Sequence, residues 1–542
     1  MSRRAWWTVA AIWVCFLARG IFYAAVLPLW EGYDEYSHFA YVQHLIVQGS
    51  IPIPGKARNS REVSASLAAA PIRWTARDTA GAITYDAFWK LPRDEREKRT
   101  ARLRAGSDAA ARGEDPLGEL MYESQQPPLY YWVMEPALVL ADRWSLPARV
   151  FLLRCFSLFL CSLAVPVGFA TARRALGGMA ERDGAATCVI AIVVCMPEGL
   201  IDLARIGNES LALLVYTVLV YWCVRLVDEG ANWRSCIWIG VSLGCGLLTK
   251  AYFLTAIPVV CVAFAMVFVK SAARRSVGFL AASLGMAAAI SGWWYGFIYS
   301  VTGDVTGQIQ SVSVRAVPWG EKLRVALGVD WLRAVDSTAF SHIWFGGWSF
   351  LQLRSWMYHL FYAVGVAAMI GLGVLVWRRR PKALLLLAWF EVCFCACLAY
   401  QVTIAQIIYK KPMSAGWYLY CLVFAEVILI CAGLMELAPS RRRIWAPVAL
   451  TGLVAVLDLY GMNFVLMPYY LGLTSHAAGG GLPGFHPSQI WQTGLPEISS
   501  RVMLNSPYLS SAAQFGALWM VYLAATVACV AIVVDRRSEM AP

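Results

Sequence analysis

Two adjacent acids, Asp34 and Glu35, stand in the stretch Trp30-Glu-Gly-Tyr-Asp-Glu-Tyr-Ser-His-Phe-Ala-Tyr, directly after an apolar run long enough to span a bilayer. A helical pattern continues from them through His38 and Tyr41. A carboxylate so placed can cap the helix and complement its macrodipole. It can equally serve as a general base beside a reacting hydroxyl. Further along comes Met121-Tyr-Glu-Ser-Gln-Gln-Pro-Pro-Leu-Tyr-Tyr-Trp, in which Glu123 precedes a diproline that opens an apolar aromatic helix. Proline is preset for a first helical turn. Both features fall on the same predicted face of the membrane. With His38, the carboxylates of Asp34, Glu35 and Glu123 also make an oxygen-rich set that suits Mg²⁺ or Mn²⁺. Arg205 and Lys250 stand at predicted helix ends on that face. As cations at helix ends they can simply anchor the helices by snorkelling.

The elements that must position these residues are membrane helices. Of 542 residues 59% are hydrophobic and only 15% charged, against about 25% charged in an ordinary soluble domain. This composition excludes a soluble enzyme and the coiled-coil, collagen-like, disordered and small disulfide-rich classes. Runs of spanning or near-spanning length lie at 5–30, 148–170, 185–203, 208–227, 235–250, 252–270, 276–300, 355–377, 382–402, 416–437, 444–467 and 512–535, so about twelve helices are expected. The net charge of +12 comes largely from short tracts between these runs: Arg173 and Arg174, Arg274 and Arg275, Arg378 to Lys382, Arg441 to Arg443, Arg536 and Arg537. With Arg3 and Arg4 inside, alternation puts every tract inside, as the positive-inside rule requires. No nucleic-acid motif accompanies them. Met1-Ser-Arg-Arg and the apolar run to Trp30 lack a small-residue cleavage site and read as an uncleaved first helix. The 15 cysteines lie in or beside apolar stretches and read as packing residues.

The expected organisation is a first transmembrane helix over 1–30, an extracytoplasmic loop over 31–147 that carries the acidic motifs, and helices two to seven over 148–300. A second outer loop over 301–354, helices eight to eleven over 355–467, a third outer loop over 468–511 and a last helix with cytoplasmic tail over 512–542 complete it. Within the first loop, 127–141 is too short to span comfortably and reads as a juxtamembrane or re-entrant helix. The run Asp94 to Arg104 reads as a solvated helical face. Gly479 to Gly481 is a flexible turn.

Taken together, the acidic motifs resemble the GT-C superfamily of integral-membrane glycosyltransferases, particularly protein O-mannosyltransferases and the lipid A aminoarabinose transferase. The residues that carry the resemblance are Asp34-Glu35, Glu123 with Pro127-Pro128-Leu129-Tyr130-Tyr131, Arg205-Ile-Gly-Asn-Glu-Ser-Leu-Ala and Gly246-Leu-Leu-Thr-Lys250. They lie within the first 270 residues. Two positions depart from the pattern: Gln126 replaces a His often found before the diproline, and Trp417 stands where an Arg is expected before Tyr-Leu-Tyr. The resemblance implies an all-α bundle with juxtamembrane helices over a donor cavity. It also implies transfer of a sugar from a polyprenyl-phosphate donor to a protein, lipid or glycan acceptor. Asp34 would be the base, assisted by Glu35 and Glu123, Lys250 and Arg205 would bind the donor phosphate, and His38, Gln126, Tyr130 and Asn208 would line the acceptor or sugar pocket. The nearer branches of the superfamily work without a catalytic metal, while a divalent cation held by Asp34, Glu35 and Glu123 stays open. In a bacterium the compartment would be the inner membrane, with a periplasm-facing site and both termini cytoplasmic.

Carboxylates inside apolar runs are expensive and functional by default. Glu391, Glu426 and Asp458 are such residues. Glu391 and Glu426 support a competing class, a proton- or cation-coupled transporter or flippase, and the same residues can instead fix helix packing. A non-catalytic membrane assembly component with the same fold is a third class. His342 with Trp344 and Trp348, and His476 with His486, lack metal-ligand spacing, and Trp293, Trp294 and Tyr295 read as an interfacial aromatic belt.

Overall fold

The computed structural model describes residues 3–72, 82–106, 110–179, 181–268 and 273–538. Met1, Ser2 and the tail from 539 lie outside the described residues, as do the side chains of Arg274, Arg441, Arg536 and Arg537. The chain is built almost wholly of helices. Its one sheet among the described residues pairs Pro71–Ile72 with Ile83–Thr84 in parallel, Pro71 opposite Ile83 and Ile72 opposite Thr84.

Among the described residues, ten helices are long and apolar enough to cross a membrane, or eleven if one bent pair counts as a single span. This is below the expected dozen. The shortfall lies in the run 235–250, where the helix Trp233–Leu247 has 15 residues and gives way to a 3₁₀ turn at Ala251–Thr255. At 1.5 Å per residue that helix reaches about 22 Å, less than a hydrocarbon core of about 30 Å. The bent pair, Arg182–Cys195 and Pro197–Leu203, turns by 61° at Met196. Pro197 cannot donate to the preceding turn and disfavours a helical residue before it, so the break falls there.

Helices approach closely where side chains vanish. A Cβ on Gly371 would collide with the carbonyl of Gly433, and one on Gly433 with that of Ala368. The helices Ser355–Arg379 and Val423–Leu437 thus pack backbone to backbone, the small-residue mode of membrane helices. Asp458, one of the acids inside an apolar run, serves packing: Arg19 Nη2 is 2.9 Å from its Oδ2. The hydroxyls of Tyr23 and Tyr522 each donate to it at 2.6 Å. It ties the first helix to Trp445–Tyr460 and Ala512–Ser538.

The first loop folds on top of this bundle around its own apolar cluster, in which Trp30, Phe39, Tyr41, Val63, Tyr130, Tyr131 and Met134 are buried. The segment 127–141 forms the short apolar helix Leu129–Leu140. Arg93–Arg104 is the expected solvated helix, its face laced by i,i+4 ion pairs such as Arg93 with Glu97 and Lys98 with Asp94. Gln43 donates to Glu62 at 2.7 Å, and Arg149 pairs with the same carboxylate. This pins the loop to the helix Leu146–Ser162.

Candidate active site

The first helix ends at Val26, and the chain turns through Asp34 into the helix Glu35–Gln48. Asp34 holds the N-cap position at φ 54° and ψ 21°, with its backbone in the left-handed region and no side-chain cap bond. Its carbonyl accepts from the amides of Ser37 and His38 at 2.9 and 3.1 Å. A non-glycine residue in this region costs about 1 kcal/mol or more and persists where its surroundings over-determine it.

Arg154 supplies that constraint. Its Nε and Nη2 donate to the two oxygens of Glu35 at 2.7 and 2.6 Å. Its remaining donors satisfy the carbonyls of Ala24, Leu27 and Pro28 at 3.0, 2.6 and 2.7 Å. The amide of Ile206 donates to Glu35 as well, at 3.1 Å. Of the two adjacent acids, Glu35 is therefore turned into the protein as an anchor, and Asp34 is the half-exposed one.

Glu123 sits in the 3₁₀ turn Tyr122–Gln125, with its amide donating to the Ser37 hydroxyl at 2.8 Å. It is buried, and its Oε2 has no hydrogen-bond partner. Burial and, next, the nearby negative charge of Asp34 push its carboxyl up to about 7, against the pull of Lys250 and Arg205. The residues expected to line an acceptor or sugar pocket are joined by hydrogen bonds near it. Asn208 Nδ2 bridges Gln126 Oε1 at 3.1 Å and the Thr249 carbonyl at 3.0 Å. The Tyr130 hydroxyl accepts from the amide of Gly207 at 3.0 Å. His38 Nδ1 is 2.8 Å from the hydroxyl of Tyr131, whose ring stacks on Tyr41. Burial, with Arg205 and Lys250 close by, holds His38 well below the usual imidazole range, so it is a neutral hydrogen-bonding residue.

Arg205 and Lys250 are buried inside the protein, which removes snorkelling as their role. Both converge on Glu209: Arg205 Nη2 lies 2.9 Å from Oε2, and Lys250 pairs with Oε1. Arg205 also binds Asp202 at 2.8 Å and the Tyr33 carbonyl at 2.6 Å. Lys250 stands between the rings of Tyr252 and Tyr418, 5.2 and 5.6 Å from their centroids. An incoming anion would meet two cations already bridged by one carboxylate.

The second loop completes the enclosure. Gln310 donates to the Tyr122 hydroxyl at 3.0 Å. The amides of Phe345 and Gly346 donate to Glu198 at 2.8 and 2.9 Å, and the same carboxylate accepts from Tyr33 at 2.6 Å. Trp417, which replaces the expected Arg, lies flat on Tyr33 with centroids 4.3 Å apart. The structure thus gathers Asp34, Glu123, Arg205, Lys250, Gln126, Asn208, Tyr130 and His38 at one end of the bundle. It adds Arg154, Asp202, Glu209, Tyr33, Glu198 and Tyr418, which sequence reasoning did not single out as site residues. Arg154 had a signal, being a charge inside an apolar run.

Among the described residues no group of three or more His, Cys, Asp or Glu side chains is arranged to hold a metal ion. Asp34, Glu35 and Glu123 do not form such a set because Glu35 faces Arg154. The acids invoked for transport lie elsewhere: Glu426 is 2.9 Å from His342 Nε2, and Glu391 Oε1 has no hydrogen-bond partner.

Residues 118–305 match the family model described as dolichyl-phosphate-mannose-protein mannosyltransferase. No curated protein matches the chain in sequence. Among solved structures, ArnT from Cupriavidus metallidurans bound to undecaprenyl phosphate aligns with 99% of this chain and 79% of its own, at 14% identity and TM-score 0.50. The same protein in the apo state aligns with 98% of this chain and 77% of its own, at 15% identity and TM-score 0.47. The Archaeoglobus fulgidus oligosaccharyltransferase in complex with Zn and sulfate covers 80% of this chain and 52% of its own, at 12% identity and TM-score 0.35. With helices, intervening loops and clustered polar residues in this order, the chain has the GT-C-type polytopic membrane fold.

Proposed function

We propose that this protein is a glycosyltransferase that moves a sugar from a polyprenyl-phosphate donor to an acceptor at the extracytoplasmic face. The observation that carries the reading is the placement of a half-exposed carboxylate, Asp34, in a locked left-handed corner beside a buried Arg205–Lys250 pair. The mannosyltransferase family match and the undecaprenyl phosphate in the ArnT structure support a lipid phosphate as leaving group.

In this mechanism the acceptor hydroxyl oxygen attacks C1 of the sugar, its proton passes to Asp34, and the C1–O bond to phosphate breaks with its electrons kept by the lipid phosphate. Asp34 orients as much as it deprotonates. Glu123, once ionised, adds negative charge beside Asp34 and raises its basicity. Arg205 and Lys250 neutralise the charge that grows on the leaving phosphate, exchanging part of their hold on Glu209 for it. Glu35 serves through Arg154, by fixing the backbone of Asp34. Attack from the face opposite the phosphate inverts the anomeric centre. The sequence segments divide accordingly into a catalytic first loop over 31–147 and a helical scaffold, with the site and the three loops outside and both termini in the cytoplasm, a topology in which the bent pair and the short helix Trp233–Leu247 each cross the membrane.

The test is turnover of a panel of labelled polyprenyl-phosphate sugars in vesicles, wild type against Asp34→Asn at equal expression, with and without chelator. Release of lipid phosphate by the wild type and its loss in Asp34→Asn supports the reading. Robust turnover in Asp34→Asn removes Asp34 as base. Loss of wild-type turnover with chelator would assign the carboxylates to a metal instead. Uptake that depends on Glu391 or Glu426 and survives Asp34→Asn would make the chain a transporter.

A further inference from the structure

A cavity of about 440 Å³ opens on the flank of the bundle, away from the residues of the proposed transfer reaction. None of Asp34, Glu123, Arg205 or Lys250 lines it. Its walls are apolar: Phe361, Val364 and Met369 on one helix, Val427 and Ile430 on a second, Leu450 and Leu457 on a third. From Phe361 to Met369 the helical rise gives the cavity a length of about 12 Å along the bundle.

Two observations say what fills it. First, its rim is apolar and uncovered: Leu332 is 86% exposed, Val335 64%, Val366 50% and Met369 67%. Val366 and Met369 stand in the apolar span Ser355–Arg379, so this side of the rim meets hydrocarbon and the occupant enters as a chain from the bilayer. Second, its polar end is acidic. His342 and Glu426 line that end, paired at 2.9 Å, while Glu426 Oε2 has no hydrogen-bond partner. Asp336 lines it too, accepting from Tyr362 at 3.1 Å. Two carboxylates against one imidazole leave the end short of a cation. His342 is itself held in place, its Nδ1 3.1 Å from the Gly416 carbonyl and its own carbonyl accepting from Tyr420. It therefore cannot turn to satisfy the open oxygen.

We propose that this cavity binds a single-chain amphiphile whose hydrocarbon carries a primary ammonium, with the ammonium donating to Glu426 Oε2 and the chain lying between Phe361 and Ile430. Glu426 stands in the first turn of the helix Val423–Leu437, within the apolar span Gly416–Leu437. A fatty acid would set a carboxylate against Glu426, and an alcohol would bring a donor without charge.

The experiment uses the full chain in detergent micelles and three probes of equal chain length: dodecylamine, dodecanol and dodecanoate. Labelled dodecylamine should bind saturably, and the other two should compete about tenfold less well or worse, the difference a charge-assisted hydrogen bond makes. Glu426→Gln should reduce amine affinity by about the same factor and erase the ranking. Ile430→Trp should fill the cavity and abolish binding of all three. Equal binding of amine and dodecanoate overturns the proposal without reference to any variant. So does unchanged amine affinity in a folded Glu426→Gln, or retention of binding by Ile430→Trp. The proposal does not depend on the transferase reading, since no active-site residue enters the test.

Discussion

Arg154 grips both oxygens of Glu35, at 2.7 and 2.6 Å, where neither side chain is touched by solvent. The fork closes the corner on which Asp34 sits, because the same guanidinium holds three carbonyls at the end of the first helix. Breaking a buried pair leaves an uncompensated charge and costs about 3–5 kcal/mol. Arg154→Met and Glu35→Gln should each lower the thermal unfolding midpoint in detergent sharply. The double variant should lose less than the two losses added, since neither charge is then stranded. Arg154→Lys keeps the charge but not the fork, and it should fold yet turn over slowly.

Asp34 separates stability from activity. Asp34→Asn should leave the unfolding midpoint in place and cut turnover by about 10²- to 10⁴-fold, the range a positioned base supplies. Asp34→Gly should do the same to turnover while raising stability by about 1 kcal/mol, because glycine occupies the left-handed corner without strain. Calorimetry and a turnover assay on the same preparations check both. A stabilised, active Asp34→Gly would contradict the assignment.

Glu123 sets the pH response. Its carboxyl is raised to about 7, so it is protonated below that pH and ionised above it. Ionisation strengthens Asp34 as a base, and turnover should therefore rise as pH climbs through about 7. Glu123→Gln is neutral throughout and should lose that limb of the pH profile. For stability the sign is reversed. A carboxyl raised in the folded state favours folding fully below its unfolded value, and this contribution is lost as pH rises through about 7. Wild type should be less stable at pH 8 than at pH 5.5 by more than Glu123→Gln is.

Glu209 pairs with both Arg205 and Lys250, and in the proposed reaction it competes with the leaving phosphate for them. Lys250→Met should weaken binding of a polyprenyl phosphate by about tenfold or more, as loss of one buried charge partner does. Glu209→Gln should act in the opposite direction, tightening that binding while slowing release of the spent lipid. Equilibrium binding of labelled undecaprenyl phosphate to purified protein measures both. A Glu209→Gln variant that binds more weakly would show that the carboxylate builds the phosphate site rather than guarding it.

Much of this arrangement is legible in the amino-acid sequence, for reasons that are physical. Apolar runs and basic tracts announce membrane helices because lipid forbids unsatisfied backbone and exposed charge. The diproline marks a helix start because proline needs no amide partner there. Pairing across long separations is what the sequence hides. Nothing in Asp34-Glu35 tells that one acid faces outward while the other meets Arg154, since adjacent helical residues point apart and the choice is made by a distant helix. The short helix Trp233–Leu247 is likewise obscured, because hydropathy runs on through Leu248 to the next turn although the backbone breaks. Glu209 lies inside the Asn-Glu-Ser segment, yet its bridging of two cations depends on where Lys250 comes to rest.

The end of the first helix carries a further consequence. Its last carbonyls are satisfied by Arg154 and by residues near the far end of the chain: Asn505 donates to Val26 at 2.9 Å, Ser506 to Ala25 at 2.6 Å, and Tyr508 to Ala25 at 2.8 Å. A ribosome that has delivered the chain through Arg205 has made all the first-loop acids and Arg154, but not Asn505, Ser506 and Tyr508, which share the capping of this helix end. The end of the first helix should then be fully capped only after the segment 505–508 docks. Nascent chains stalled before residue 505 should thread into the bilayer yet remain sensitive to protease at the Leu27–Tyr33 bend, and release of the stall should close it.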